Sequence, residues 1–291
     1  MFVTALPNQE SKLVQYFMSP GTFTWEKPPG VSLVSITCVG PGSDGGAGAS
    51  AVSGTAKLGG FGGGSGAVTT GIFSASMLPD TLYITNGAGN SGANTAVYID
   101  SLSSGAGLTY NWATLVRAEG ALASNTTPGI ANANNNFNVL GTYGFINSRT
   151  GSRGVAGTTG KGANQTSFAT NTLWVTGGAA GGGGTTSATS ANVEGGSITS
   201  NTTVAILNNI FNGVPGASLT NTIQASGGFK SLKPLIIFTG GAGGPGATTL
   251  SVAAYPGGDG APGCGGGGGG GGTTGSAGGK GGNGFTIISC K

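Results

Sequence analysis

Histidine is absent from this chain. That removes the commonest general base, the serine-histidine-aspartate arrangement and the usual imidazole metal ligand. The carboxylates are Glu10, Glu26, Asp44, Asp80, Asp100, Glu119, Glu194 and Asp259. None of them forms a local DxD or ExxE pair. Folding can still bring two carboxylates together, which is all a glycosidase needs. A polysaccharide-cleaving enzyme is therefore kept as the least favoured reading. Asp44 in Gly-Ser-Asp-Gly-Gly and Asp259 in Gly-Gly-Asp-Gly-Ala read as turn acids, since a calcium loop needs a denser acidic series. GxGxxG matches recur, but a dinucleotide site also needs a preceding strand, a following helix and a downstream acid. Lys161 follows Gly160 and Lys280 follows Gly279. Neither lysine is followed by Ser or Thr, so no phosphate-binding P-loop is present. Cys38, Cys264 and Cys290 are an odd set without a CxxC pair. They make neither a disulfide framework nor a zinc site. They read as reduced thiols, with a Cys38–Cys290 bridge left open if the terminal strands pair. The chain is read as non-enzymatic, with no catalytic residue, cofactor or metal.

Recognition chemistry is better represented. Tyr98, Tyr110, Asn111 and Trp112 share one polar-aromatic stretch, and Asn134, Phe137 and Tyr143 lie in or just after an Asn-rich one. Tyr and Trp supply rigid contact area, while Asn and Ser supply adaptable hydrogen bonds. That mixture suits a sugar or the loops of an outer-membrane protein. The competing reading is that each aromatic anchors its own loop to the scaffold. The loops expected to carry recognition are 100–112, 124–147 and 185–230.

The elements that must hold such loops are unusual. The chain has 64 glycines in 291 residues. From Gly257 to Gly284 glycine occupies every third position without a break. Gly42, Gly45, Gly48, Gly54, Gly60, Gly63 and Gly66 share another phase, interrupted by Ala51 and Lys57. Gly151, Gly154, Gly157 and Gly160 form a third track. Shorter ones run Gly178–Gly181–Gly184 and Gly240–Gly243–Gly246. A period of three matches neither a strand nor an α-helix. It matches the polyproline II helix, where one glycine track makes an edge without side chains. Such a helix has no internal hydrogen bonds, so its buried backbone groups must pair with neighbours. The long track would span roughly 87 Å if straight, against a radius of gyration near ~19 Å for a compact chain of this length. It is expected to fold back at Ala261-Pro262 and Thr273-Thr274 into packed polyglycine II segments. A flexible glycine linker is the alternative.

Charge is sparse, with 11 basic and 8 acidic residues and a net charge of +3. The cations are scattered, which excludes a nucleic-acid surface. Arg149, Arg153 and Lys161 come nearest to a patch and read as a solvated loop. No stretch approaches the ~20 apolar residues of a membrane span, and no signal peptide is visible at Met1–Pro7. Thr22–Trp25 alternates, Val31–Val39 is rich in β-branched residues, and Phe285–Cys290 closes the chain. Met77–Thr85, Thr95–Ile99 and Leu232–Thr239 are further strand candidates, and one short helix is expected over 111–122. The expected fold is all-β. Residues 1–40 plus 284–291 would form a small β-sheet or sandwich as an attachment base. Residues 41–283 would be a glycine-rich body with polyglycine II segments and long exposed loops.

The segment Ser19–Val31, then Leu33–Val39 and a glycine run, resembles the opening of the glycine-rich domain of bacteriophage tail and fibre proteins. The ending Gly281-Gly282-Asn283-Gly284-Phe285-Thr286-Ile287-Ile288 is similar to the close of that domain. The likeness covers roughly the first 70 and last 50 residues. The tracks are also similar to those of tail-fibre tip adhesins, on periodicity alone. The resemblance implies a virion protein made in the host cytoplasm, a tail-fibre or tip component. Its expected partners are other virion proteins and a host surface polysaccharide or outer-membrane protein. It would be a homotrimer that displays loops and does not insert into a membrane. A purely structural capsid-surface fibre or cement protein is the alternative. The family supplies no catalytic residues.

Overall fold

The computed structural model describes residues 14–50, 52, 55–100, 113–122, 144–167, 177, 178, 181, 193–200, 227, 228, 230, 231, 237–247 and 254–291. It is all-β, with no α-helix among them. The first sheet has the order β1-β13-β3-β4-β8: β1 (Val14–Phe17), β13 (Phe285–Cys290), β3 (Leu33–Val39), β4 (Val68–Ser74) and β8 (Gly144–Arg149), all antiparallel. The terminal strands thus meet in one sheet, with Phe285 opposite Val39 and Val14 opposite Ser289. The second sheet has the order β2-β5-β6-β7: β2 (Gly21–Glu26), β5 (Thr81–Asn86), β6 (Thr95–Tyr98) and β7 (Thr114–Ala118). Two short pairs complete the set, β9 (Gln165–Ser167) with β10 (Ile198–Ser200) and β11 (Lys230–Ser231) with β12 (Ile237–Phe238).

The sheets face each other because their alternation puts one apolar row on each. Val34, Ile36, Cys38, Phe73 and Ile288 of the first pack with Trp25, Leu82, Ile84, Val97 and Val116 of the second. Asn86 ties the layers together: its amide donates to the Phe17 and Ser19 carbonyls, and its oxygen accepts from Thr286 Oγ1 at 2.8 Å. Two local expectations change. The strand expected from Met77 begins at Thr81, after a 3₁₀ turn at Ala75–Met77 and the ring of Pro79, which has no N–H to donate. Within the helix expected over 111–122, Thr114–Ala118 is strand β7. The β-branched Thr114 and Val116 favour that state, and Val116 gains a place opposite Val97.

Strands of the first sheet run on into glycine segments in the same lateral order. Residues 40–50 (segment I) follow β3, and residues 58–67 (segment II) lead into β4. Residues 151–160 (segment III) follow β8, and residues 275–284 (segment VIII) lead into β13. The antiparallel ladder of β3 and β4 becomes one of Gly40 N to Ala67 O, Ser43 to Gly64, Gly46 to Phe61 and Ala49 to Leu58. The rungs now recur every third residue. Segments I and VIII continue β3 and β13 likewise, through Gly42 to Gly282, Gly45 to Gly279 and Gly48 to Ser276.

A second layer lies against these. It contains Gly177, Gly178 and Gly181 (segment IV), residues 239–247 (segment V), residues 254–261 (segment VI) and residues 263–272 (segment VII). The expected turns at Pro262 and at Thr273-Thr274 separate segments VI, VII and VIII, and Gly263 takes the positive φ of 74° that the first of them needs. Segment VII is the centre. Its carbonyls turn in sequence to three neighbours: Cys264 accepts from Gly282, Gly265 from Gly241, Gly266 from Gly63, and Gly267, Gly268 and Gly269 repeat the cycle with Gly279, Gly244 and Gly60. Three residues therefore make one turn, as in polyglycine II. Its amides pair with segments I and VI, as in Gly266 to Ser43 and Gly267 to Gly258. Segment IV lies close enough that a Cβ on Gly178 would overlap the Gly266 carbonyl. Segments I, II, IV, V, VI and VIII thus ring segment VII as a hexagon. A cluster of Val39, Val68, Phe238, Ala261, Cys264, Phe285 and Ile287 joins the lattice to the outer face of the first sheet. In it Phe238 and Phe285 meet edge to face, 5.0 Å between centroids.

Candidate functional site

Tyr98 is the one proposed recognition residue among the described residues. Tyr110, Asn111, Trp112, Asn134, Phe137 and Tyr143 lie outside them. Of the three recognition loops, the described parts are Asp100, residues 144–147, and residues 193–200, 227, 228 and 230.

The register of the second sheet builds a face around Tyr98. Val97 is fully buried against the first sheet, so its neighbour Tyr98 points the other way. Tyr83 stands directly opposite on β5 and Thr114 on β7, where a register shift between Val97 and Tyr98 lets Leu115 and Val116 both enter the core. One row on, Thr85 and Arg117 flank Ala96. Thr24 on β2 pairs with Tyr83 at the far side. The face thus sets the phenols of Tyr83 and Tyr98 and the Arg117 guanidinium among the threonines Thr22, Thr24, Thr85 and Thr114, over a buried aliphatic layer.

Arg117 is held in place. With its amide oxygen turned inward, Asn94 accepts from Arg117 Nη2 at 2.9 Å and from Nε at 3.2 Å. Glu119 Oε1 stands 3.8 Å from Nη2. Burial pushes the Tyr98 phenol above its ordinary value, while the nearby Arg117 guanidinium acts in the opposite direction. Thr85 Oγ1 is sealed from solvent and has no hydrogen-bond partner. Sequence reasoning missed Tyr83, Thr85 and Arg117. The alternation of Thr81-Leu82-Tyr83-Ile84-Thr85 was the available signal, but only strand pairing places it beside Tyr98.

Other groups with chemical capacity are engaged in scaffolding. Asp44 accepts from the Gly281 amide at 2.8 Å and from Lys280 Nζ at 3.2 Å, and Asp259 accepts from the Lys280 amide at 2.7 Å. Both acids therefore brace segment VIII. Lys161 pairs with Glu194 at 2.6 Å. All three cysteines are buried thiols outside any disulfide. Cys290 stands opposite Val34 and Cys38 opposite Thr286, four positions apart on the ladder. That is roughly 13 Å along the strand, too far for a disulfide. No group of three or more Cys, Asp or Glu side chains that could hold a metal occurs among the described residues.

A two-layer β-sandwich continuous with a hexagonal glycine lattice defines an all-β glycine-rich protein. The chain matches the glycine-rich domain family over residues 18–291 and belongs to it. No curated protein matches it.

Proposed function

We propose that the chain is a bacteriophage virion protein, a tail-fibre or tip component that displays loops for binding the host surface. The observation that carries this reading is segment VII, enclosed by six neighbours with its backbone carbonyls shared among three of them. Such a lattice costs much backbone entropy to order and brings almost no side chains of its own. What it supplies is rigidity, and rigidity is useful where loops leave it. Its partners are other virion proteins at the attachment end and a host polysaccharide or outer-membrane protein at the loops. Assembly as a homotrimer multiplies weak contacts into avidity.

Purified chain is mixed with candidate host bacteria, and the virion is imaged with the chain labelled. Cell binding that blocks infection, with label on the tail, is the expected result. Label on the head without cell binding sinks the reading in favour of a capsid-surface or cement subunit. Loss of capsule staining on incubation replaces it with a depolymerase.

A further inference from the structure

We infer that the outer face of the first sheet, at its end remote from the lattice, is the docking site of the chain's own residues 1–6. This does not depend on the receptor-binding reading and concerns the attachment end.

Ladder register places Val14, Ser289, Ser35, Ile72 and Phe145 in one row across all five strands. Directly paired residues share a face. The alternate residues Val34, Ile36, Phe73 and Ile288 fill the core, so this row faces outward. Nearer the lattice the same face is covered, where Phe238 and Cys264 pack with Val39, Val68, Phe285 and Ile287. Beyond Thr37 and Ile287 it opens. Phe145 is 64 % exposed, and Leu33 and Tyr16, one row to either side, are each 40 % exposed. The row itself carries no charged side chain. An open apolar patch of this kind marks a contact site.

Size and connection select the occupant. The patch is about 19 Å wide, four strand spacings, and about 14 Å deep from the row of Leu33 to that of Tyr16. That footprint is on the order of 300 Å², well short of the roughly 800 Å² that each partner buries in a standard protein interface. A second copy or a globular partner would not be held by it alone. One extended segment of six residues, about 20 Å long, fits it. Strand β1 runs from Val14 at the remote end toward the lattice, so the chain that precedes it arrives beside the open patch. Residues 1–13 lie outside the described residues. Met1, Phe2, Val3, Ala5 and Leu6 are apolar, and Pro7, Asn8, Gln9, Glu10, Ser11 and Lys12 make a polar link. Residues 7–13 span up to about 23 Å, enough to carry the apolar segment from β1 across to Phe145 on β8. Attachment to the same chain raises the segment's effective concentration above that of a free partner.

The full chain is labelled with a nitroxide at Ala5→Cys, the three native thiols being buried, and its methyl resonances are recorded. Line broadening is expected at Leu33 and Ile72 and not at Val52, exposed beyond the end of segment I. Adding Phe2→Ser and Leu6→Ser to the labelled chain is expected to lower the docked population by roughly tenfold or more, through lost apolar burial, and to sharpen those lines again. The substituted positions precede both sheets, and thermal melts verify that each variant is folded. Broadening that persists in the serine variant shows tethering without docking and overturns the inference. Sharp lines at Leu33 and Ile72 in the parent overturn it as well. Broadening that arises only between a nitroxide-labelled chain and a separate isotope-labelled chain overturns it in favour of a segment supplied by a second copy.

Discussion

Cys38 lies between the sheets, and burial pushes its thiol up to about 12 from an ordinary value of 9.0, against a weaker pull from the Thr286 hydroxyl. The sign of the consequence is definite. The unfolded chain ionises this thiol near pH 9, while the folded chain keeps it neutral until about pH 12. Folding stability is therefore intact below pH 9 and falls between the two values, by about 1.4 kcal/mol per pH unit. Denaturant melts from pH 8 to pH 11 should show the decline, and Cys38→Ala should make it shallower. Thiol reagents at pH 8 should modify Cys38 only after unfolding. Lys57 presents the reverse case, a polar group at a cost. It interrupts a glycine track, is 1 % exposed, and its Nζ has no hydrogen-bond partner. Sealing a neutral polar group without a partner costs about 1–3 kcal/mol, and an ammonium costs more. Lys57→Met should therefore raise the melting temperature by several degrees. A lower melting temperature would show that Nζ contributes to folding.

Among the elements, the glycine segments follow a strict steric rule. A Cβ at Gly42, Gly45 or Gly48 would overlap the carbonyl of Cys264, Gly267 or Gly270. A segment with one close neighbour on that side needs glycine only once per turn, which produces the three-residue track. Segment VII has neighbours all round, so its glycines run without interruption: a Cβ on any residue from Gly265 to Gly270 meets a backbone carbonyl of a different segment in turn. Backbone obstacles cannot rotate away as a flexible side chain can. Gly269→Ala should therefore cost well over about 3 kcal/mol, beyond the usual range for point substitutions, and the variant should lose its cooperative thermal transition. Gly160 belongs to a track by sequence, yet a Cβ there meets nothing within 4 Å. Gly160→Ala should stay within about 0.5 kcal/mol of the parent in the same melt. Equal tolerance at both positions would contradict the lattice.

For the molecule as a whole, lattice and sandwich form one hydrogen-bonded continuum through β3, β4, β8 and β13. Their protection against exchange should be linked. The amides of Gly266, Gly267, Gly269 and Gly270 all donate to neighbouring segments. They should exchange only by global opening, as slowly as the amides of β3. Thr273 and Thr274, exposed in the connecting turn, should exchange far faster. Mass spectrometry of peptides spanning 257–284 would read this directly. Free-coil exchange across that stretch would remove the scaffold and the display role argued from it.

Much of the architecture was legible in the residues. The three-residue glycine beat announced the helix type, because only an edge without side chains lets backbones touch. Pro262 and Thr273-Thr274 announced the turns, and the β-branched run of Val31–Val39 together with the strand-like close at Phe285–Cys290 announced paired terminal strands. These are local properties, determined by what each residue forbids to its own backbone. Tertiary structure decided which segment is central, and hence why Gly265–Gly272 is unbroken. It also decided that Thr114–Ala118 is a strand, that Cys38 and Cys290 stand apart, and that Tyr98 shares a face with Tyr83 and Arg117. Each of these depends on strand register and neighbour number, which residues distant in the chain establish only by packing together.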